Sequence, residues 1–483
     1  MSHFKDICEI SGGETSNCEK KDIKCSKICQ KCNEYDDKLQ LLYNMMVTMN
    51  DEDLKKVKKY ADYQLERDRS ADIISLLSKR GQGCIVAKIF KNFDAPLLNN
   101  IQHVNTEWYK VISTERLWKK LIEKEAENNS LWRTVIKKME FNKHLGKEID
   151  FRSDENNFYQ NMLNSISSIA KEIDDNWRNK AIYVTQYDTE VENAKVIYAI
   201  TFNNKEIFSG HNDGKIRVWN IESKAITKIL EGGHSAAILG LKFYNKNYLI
   251  SSSCDKQIIV WNTEDGEIIQ ILKHHTDNVM DIALKDNTLI TASKDCSLAV
   301  WTIISPKTFV RQISLRHENS VNVVDLDEKY IVSGSTDTTI KLWNRSTFRI
   351  HSTLTGHIRG ITCLKYENNI IVSGSADQTI RIWKVDTLCC LRELKDHYEM
   401  VRSITFNEKY IISGSRNGKI KIWDMVACLD PTSNPRELCF RTLNASNGLI
   451  LKIKMDDHRI LSSANDGMIK IWDFWKTDDE YHS

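Results

Sequence analysis

"IVSGSTDTTIKLW", residues 331–343, decides how this chain folds. Apolar and polar residues alternate on both sides of a central Asp, the pattern of two half-buried antiparallel strands joined by a tight turn. The phrase returns as "IISGSRNGKIKIW" at 411–423 and, with variations, closes seven times on an apolar residue followed by Trp: Trp219, Trp261, Trp301, Trp343, Trp383, Trp423 and Trp472. The intervals are 42, 40, 42, 40, 40 and 49 residues, so one structural unit is repeated rather than one large core built. The turn position holds Asp213, Asp255, Asp295, Asp337, Asp377, Asn417 and Asp466, whose side chains can accept hydrogen bonds from turn N–H groups. His234, His275, His317, His357 and His397 stand upstream in most units. A His and an Asp repeated in unit after unit read as a shared buried hydrogen-bond network, not as catalysis. "GHNDGKI" and "GSRNGKI" are not phosphate loops: the glycine spacing is short, no Ser or Thr follows the Lys, and a strand follows.

These residues resemble WD repeats, which build β-propellers of four-stranded blades. Seven copies imply seven blades. "AIYVTQY" at 181–187 precedes the first repeat without a hairpin of its own and is expected to supply the outer strand of the last blade, removing an exposed sheet edge. The 49-residue interval is accounted for by an insertion, "LDPTSNPREL", at 429–438.

At 483 residues with a net charge of +2, the chain is too long for one ordinary core and has no global polyanion-binding character. The opening residues carry no signal-like apolar core and no stretch is long and apolar enough to span a bilayer. The expectation is a soluble protein of the cytoplasm or nucleus, with no membrane partner. Its thirteen cysteines fit reduced thiols better than a disulfide framework. A nucleic-acid partner is not expected, because a near-neutral chain offers no basic track interleaved with aromatics.

The front half is helical. Residues 1–35 are polar without period and read as a disordered tail. Cys18, Cys25, Cys29 and Cys32 in it match no common zinc spacing, so no metal or cofactor is expected. Over 36–70, Leu39, Leu42, Met46 and Met49 form one helical stripe and Leu54, Val57, Ala61 and Leu65 another; two short helices cannot bury both stripes, and a second copy of the chain is one outlet. "KKVKK" at 55–59 lies on the polar face of that helix. Over 89–121, three short amphipathic segments, broken by Asp94-Ala95-Pro96 and near Ser113-Thr114, carry Leu97, Leu98, Ile101, Val104, Trp108, Val111, Leu117, Trp118 and Leu121. That apolar density on so small a piece points to docking on another protein.

The order "VNTEWYKVIS … LWKKL" is similar to an F-box, the segment by which substrate receptors attach to the Skp-type adaptor of cullin-based ubiquitin ligases. "LWKKLIEKEAENNSLWR", "NNFYQNML", "IDDNWR", "HENSVNVVDLDEKYIVSG", "GHIRGI" and "GKIKIWDMVACLDP" resemble the beta-transducin-repeat-containing (Slimb-type) F-box receptors from about residue 36 to 475. The resemblance implies an α+β multidomain chain. A dimerisation segment at 36–70 would be followed by an F-box at 71–121, a helical linker at 122–179, a seven-bladed propeller at 180–476 and a tail at 477–483. It implies a non-catalytic receptor that binds the Skp-type adaptor, and through it a cullin, by way of Leu97, Leu98, Ile101, Val104, Trp108, Leu117 and Trp118. The alternative is a scaffold that has lost ligase attachment: "LLSKR" at 76–80 places Ser78 where the F-box has Pro.

Propellers bind ligands on the face that gathers the loops entering each inner strand and the residues preceding each turn Asp. There, Lys294, Arg359 and the pair Arg402 and Arg416 come from three of the repeats. Each guanidinium can hold a carboxylate or phosphate by paired, charge-assisted hydrogen bonds, so an acidic, phosphorylated peptide is the expected partner. The resemblance implies the same, with Tyr198, Asn322, Arg359, Gly360 and Arg402 at substrate-contact positions and a family degron of Asp-Ser-Gly with two phosphoserines. Asn212, Ala237 and Cys254 replace the Arg and two Ser that grip the first phosphate there. Near the second, Ala376, Arg416 and Leu449 replace Ser, Tyr and Arg.

Overall fold

The computed structural model describes residues 95–104, 106–114, 117–139, 155–178, 183–188 and 196–475, with 75, 78, 86, 89, 90, 93 and 141 singly. The expected tails, the 36–70 helices, the cysteine quartet and "KKVKK" lie outside them. Two compact units divide at Ala170 and Lys171.

In the second unit, seven four-stranded antiparallel sheets follow one another around a ring. Their inner strands are Ile197–Phe202, Ile238–Phe243, Val279–Lys285, Val321–Leu326, Ile361–Glu367, Val401–Phe406 and Ile450–Met455, numbered here as blades 1 to 7. The expected closure is present: Tyr183–Asp188 is the outer strand of blade 7, running antiparallel to Met468–Asp473 with Tyr187 opposite Ile469. The first and last strands of the propeller are thereby paired, which leaves blade 7 no missing strand. The 429–438 insertion is preceded by a short helix, Met425–Leu429, whose Asp424 cap accepts from Ala427 N at 3.0 Å.

The repeated His, Asp, Ser and Trp form the network expected. In blade 2, His234 Nδ1 lies 2.8 Å from Asp255 and its Nε2 2.7 Å from Ser251 Oγ, which accepts from Trp261 Nε1 at 2.7 Å. Indole, hydroxyl and imidazole can each donate to the next group, so the polar atoms of these four side chains satisfy one another. The "SGS" glycine is steric: a Cβ on Gly374 would stand 2.7 Å from Val401 Cγ1 of the next blade. The residue after each turn Asp or Asn has positive φ, met by Gly at Gly214, Gly418 and Gly467 and by Lys256, Cys296, Thr338 and Gln378 elsewhere.

Blade 6 breaks the network. Asn417 replaces the carboxylate, and the buried Nδ1 of His397 has no partner. Burial, with Lys421 nearby, pushes the His397 imidazole down to about 4. Its folded pKa is depressed, so the stability it contributes is full above about 6.5 and is lost as pH falls through about 4, on the order of 3 kcal/mol across that window. Asn417→Asp is expected to supply the missing acceptor, raise the His397 pKa and stabilise the propeller by about 1–3 kcal/mol near neutrality. Histidine NMR titration and urea unfolding check both effects; an unmoved pKa contradicts the reading.

In the first unit, helices α1 (Ala95–Ile101), α2 (Thr106–Thr114), α3 (Leu117–Asn128) and α4 (Ser130–Lys138) follow in turn, and α5 (Glu155–Arg178) begins there. The break expected around Ala95-Pro96 lies at the start of α1, and the one near Ser113-Thr114 at the end of α2. The boundary expected at 121 instead falls inside α3, which continues unbroken until Asn129 caps α4 by accepting from Leu131 N at 3.0 Å. The last residues of α5 belong with the propeller, ahead of the start expected at 180. Trp177, fully buried, stacks between Phe474 and Tyr410 at ring-centroid distances of 3.7 and 4.8 Å. Arg441 donates to the carbonyls of Asn176 and Trp177, Asn176 Nδ2 donates to Phe474 O, and Asp174 pairs with Lys409. Among the described residues no helix is long and apolar enough to cross a membrane.

Candidate functional site

The turn carboxylates do more than satisfy histidines. Asp377 accepts from His357 Nδ1 and from Ile358 N at 3.1 Å, so the loop entering blade 5 is pinned one residue before Arg359. Burial alone would raise the Asp377 carboxyl, but hydrogen bonds from His357 and Thr379 hold it well below the usual range. Asp295, in the same position of blade 3, is held at about 2 by Ser297, Thr276 N and His275 against burial, and Lys294 precedes it. Rigid loops thus present the side chains of this face.

Pairing of the loops places the expected residues at one end of the ring. Arg416 N donates to Met400 O, Ala376 N to Gly360 O, Lys294 N to Asn278 O and Cys254 N to Ala237 O. Lys294, Arg359 and Arg416 are exposed on this rim and Arg402 is half-buried just inside it. Among the described residues none of the four side chains forms an ion pair or hydrogen bond. Arg217, Arg381, Lys421 and Arg459 in the same propeller each hold a carboxylate. Four unpaired cations around one rim form an anion-attracting face.

Beneath the rim a cavity of about 260 Å³ runs along the propeller axis. Tyr198, Asn322 and Arg402 line it, with Leu239, Met280 and Thr362; Lys294, Arg359, Gly360 and Arg416 stay outside on the rim. Asn322 Nδ2 donates to Ile361 O at 2.7 Å and Thr362 Oγ1 donates to Gly374 O at 3.0 Å and to Val401 O, which fixes both side chains across neighbouring blades. Gly360 has a packing reason: a Cβ there would stand 3.0 Å from Thr336 Cα. Burial pushes the Cys254 thiol up, so this position offers a neutral thiol in place of a hydroxyl. Sequence reasoning missed Ile358 and Tyr398, 81% and 76% exposed on the loops entering blades 5 and 6. Each directly follows the network histidine of its loop, and large apolar side chains left in water beside cations fit a peptide-binding surface.

In the first unit, most of the expected adaptor-binding residues are buried. Leu98, Ile101, Trp108, Leu117 and Trp118 are buried in the unit's own core, where Trp108 packs on Phe90 at 5.5 Å. Amphipathic period alone does not tell an inward stripe from an outward one. Leu97 is half-buried, and Val104 and Tyr109 are exposed apolar side chains within the expected F-box. Ser78 Oγ donates to Glu107 Oε2 at 3.3 Å, a bond that a Pro at this position would lack.

Comparison with known proteins recovers the repeats. The WD domain, G-beta repeat family matches residues 225–262, 266–302, 309–344, 348–384, 388–424 and 438–473, leaving most of blade 1 to be recognised by its structure. The chain is 35% identical over 176 residues, 36% of its length, to F-box and WD repeat domain-containing 11-A of Danio rerio, and 34% identical over 201 residues, 37% of its length, to F-box/WD repeat-containing protein lin-23 of Caenorhabditis elegans. The matches span 31% and 29% of those relatives. A solved structure, the computationally designed Ika8 protein, aligns with a TM-score of 0.47 at 25% identity, over 59% of this chain and 98% of that one. The chain thus carries WD repeats that build a seven-bladed propeller, and over about a third of its length it is similar to F-box and WD-repeat proteins.

Proposed function

We propose that this protein is the substrate-recognition subunit of a cullin-based ubiquitin ligase, acting in the cytoplasm or nucleus. It would hold a phosphorylated acidic peptide on the propeller face and a Skp-type adaptor on the first unit, and perform no chemistry itself. The observation that carries the peptide reading is the set of four unpaired cations, Lys294, Arg359, Arg402 and Arg416, on the one rim. Asn212, Ala237 and Cys254 offer neither a guanidinium nor a hydroxyl where the family holds its first phosphate. The preferred peptide therefore carries one phosphate, near Arg359 and Arg402, and a carboxylate in place of the other. Residues 36–70, when paired with a second copy, would make the receptor dimeric.

The adaptor reading is tested by co-expressing the full chain with a Skp-type adaptor. A stoichiometric complex is expected on size exclusion, lost in a Val104→Glu, Tyr109→Glu variant whose circular dichroism is unchanged. Exposed positions are chosen because Leu98 and Trp108 are core residues, and truncating them would unfold the unit. No complex at low salt would leave the second reading, a phosphopeptide-binding scaffold without ligase attachment, which the Ser78 departure favours.

A further inference from the structure

The walls of the axial cavity are charged, and unevenly so. Lys242, Lys365, Arg402, Lys452 and Lys454 face Asp281 and Asp325, five cations against two carboxylates. Arg402 is the second residue of its inner strand, at the rim end. Lys242, Lys365 and Lys454 are each the fifth, three residues further along and so roughly 10 Å deeper.

Existing bonds do not neutralise this deeper ring. Asp325 accepts from Leu326 N at 3.1 Å and Tyr366 N at 3.0 Å, and Asp281 from Val324 N at 3.4 Å. Lys365 is spent on Phe406 O at 2.8 Å and Glu367 at 2.7 Å. Lys452 reaches Asp281 only at 3.4 Å, and among the described residues Lys242 and Lys454 have neither a hydrogen bond nor an ion pair. Lys454 belongs to blade 7 and Lys242 to blade 2. The charge of Lys242, then burial, then Lys452 hold the Lys454 ammonium well below the ordinary lysine range, against the opposing pull of Asp281 and Asp325. Like charges gathered in a cavity with fewer counter-ions than cations are costly, and that cost is reduced by an anion between them.

We propose that the deeper part of the propeller channel is a binding site for a small polyanion of the phosphate class, held by Lys242, Lys452 and Lys454. Three ammonium groups, each a compact charge with three donors, suit the tetrahedral oxygens of a phosphoryl group. The cavity, about 260 Å³, lies just below the range of drug-sized sites and admits an ion of pyrophosphate size or a small phosphate ester. This site is separate from the rim and stands whether or not the rim binds peptide.

The test is thermal unfolding and isothermal titration of the full chain with sodium pyrophosphate, against sodium chloride of matched ionic strength. Pyrophosphate is expected to raise the Tm saturably and to bind at one site per chain. Lys454→Met and Lys242→Met are each expected to weaken that binding at least tenfold, while their Tm without pyrophosphate equals or exceeds that of the parent because repulsion has been removed. Lys307→Met, an exposed lysine outside the channel, is expected to bind as the parent does. Displacement of pyrophosphate by a phosphorylated peptide would identify a peptide phosphoryl group as the occupant; co-binding would identify a free anion. Binding unchanged in both channel variants, or no response beyond that of chloride, overturns the proposal.

Discussion

Replacing Arg359 and Arg402 together by alanine is expected to weaken binding of a phosphorylated acidic peptide by about a hundredfold or more. Each charge-assisted hydrogen bond contributes on the order of 1.5–3 kcal/mol, and about 1.4 kcal/mol is tenfold in affinity. Stability should stay nearly unchanged, since neither side chain bonds to the rest of the propeller. Fluorescence anisotropy with a labelled phosphopeptide, alongside thermal unfolding, separates the two effects. A double variant that binds as the parent does would remove the rim from the binding site. Arg416→Ala, which removes one cation but leaves this pair in place, is expected to lose about tenfold, the lower end of the same scale.

Trp177→Ala should cost the propeller about 3–5 kcal/mol, the range for truncating a fully buried aromatic side chain. The indole fills the gap between Tyr410 of blade 6 and Phe474 beyond the last strand, while Arg441 and Asn176 hold the helix end beside it. The loss is read by urea unfolding of the full chain. Trp177→Phe, which keeps an aromatic face between the same two rings, is expected to recover much of it. A cost below about 1 kcal/mol would mean that the end of α5 contributes little to the propeller's stability.

The blades were legible in the sequence because each carries its own markers within about forty residues: alternating strands, a turn Asp or Asn, a closing Trp. The strand at 183–188 was legible too, since an apolar segment without a hairpin partner needs an edge to pair with. Trp177 was not. "IDDNWR" has no local pattern that tells of docking, and Asn176 meets Phe474 across 298 positions of chain. The rim cations could be placed from the repeat register alone, whereas Ile358 and Tyr398 look like ordinary loop apolar residues until their exposure is known. In the first helices the apolar period marked the residues of a face but not its direction, and the burial of Trp108 and Leu98 was not legible from it. Lys452 and Lys454 alternate with Ile453 like solvent-facing positions of a half-buried strand, and only closure of the ring turns that side into a channel.

The most direct measurement is the affinity of the full chain for one acidic peptide in two forms, with and without a single phosphoserine flanked by aspartate and glycine. The account predicts that the phosphorylated form binds at least tenfold more tightly, that raising the salt concentration weakens it, and that phosphatase treatment abolishes the difference. Equal affinity for the two forms would contradict it.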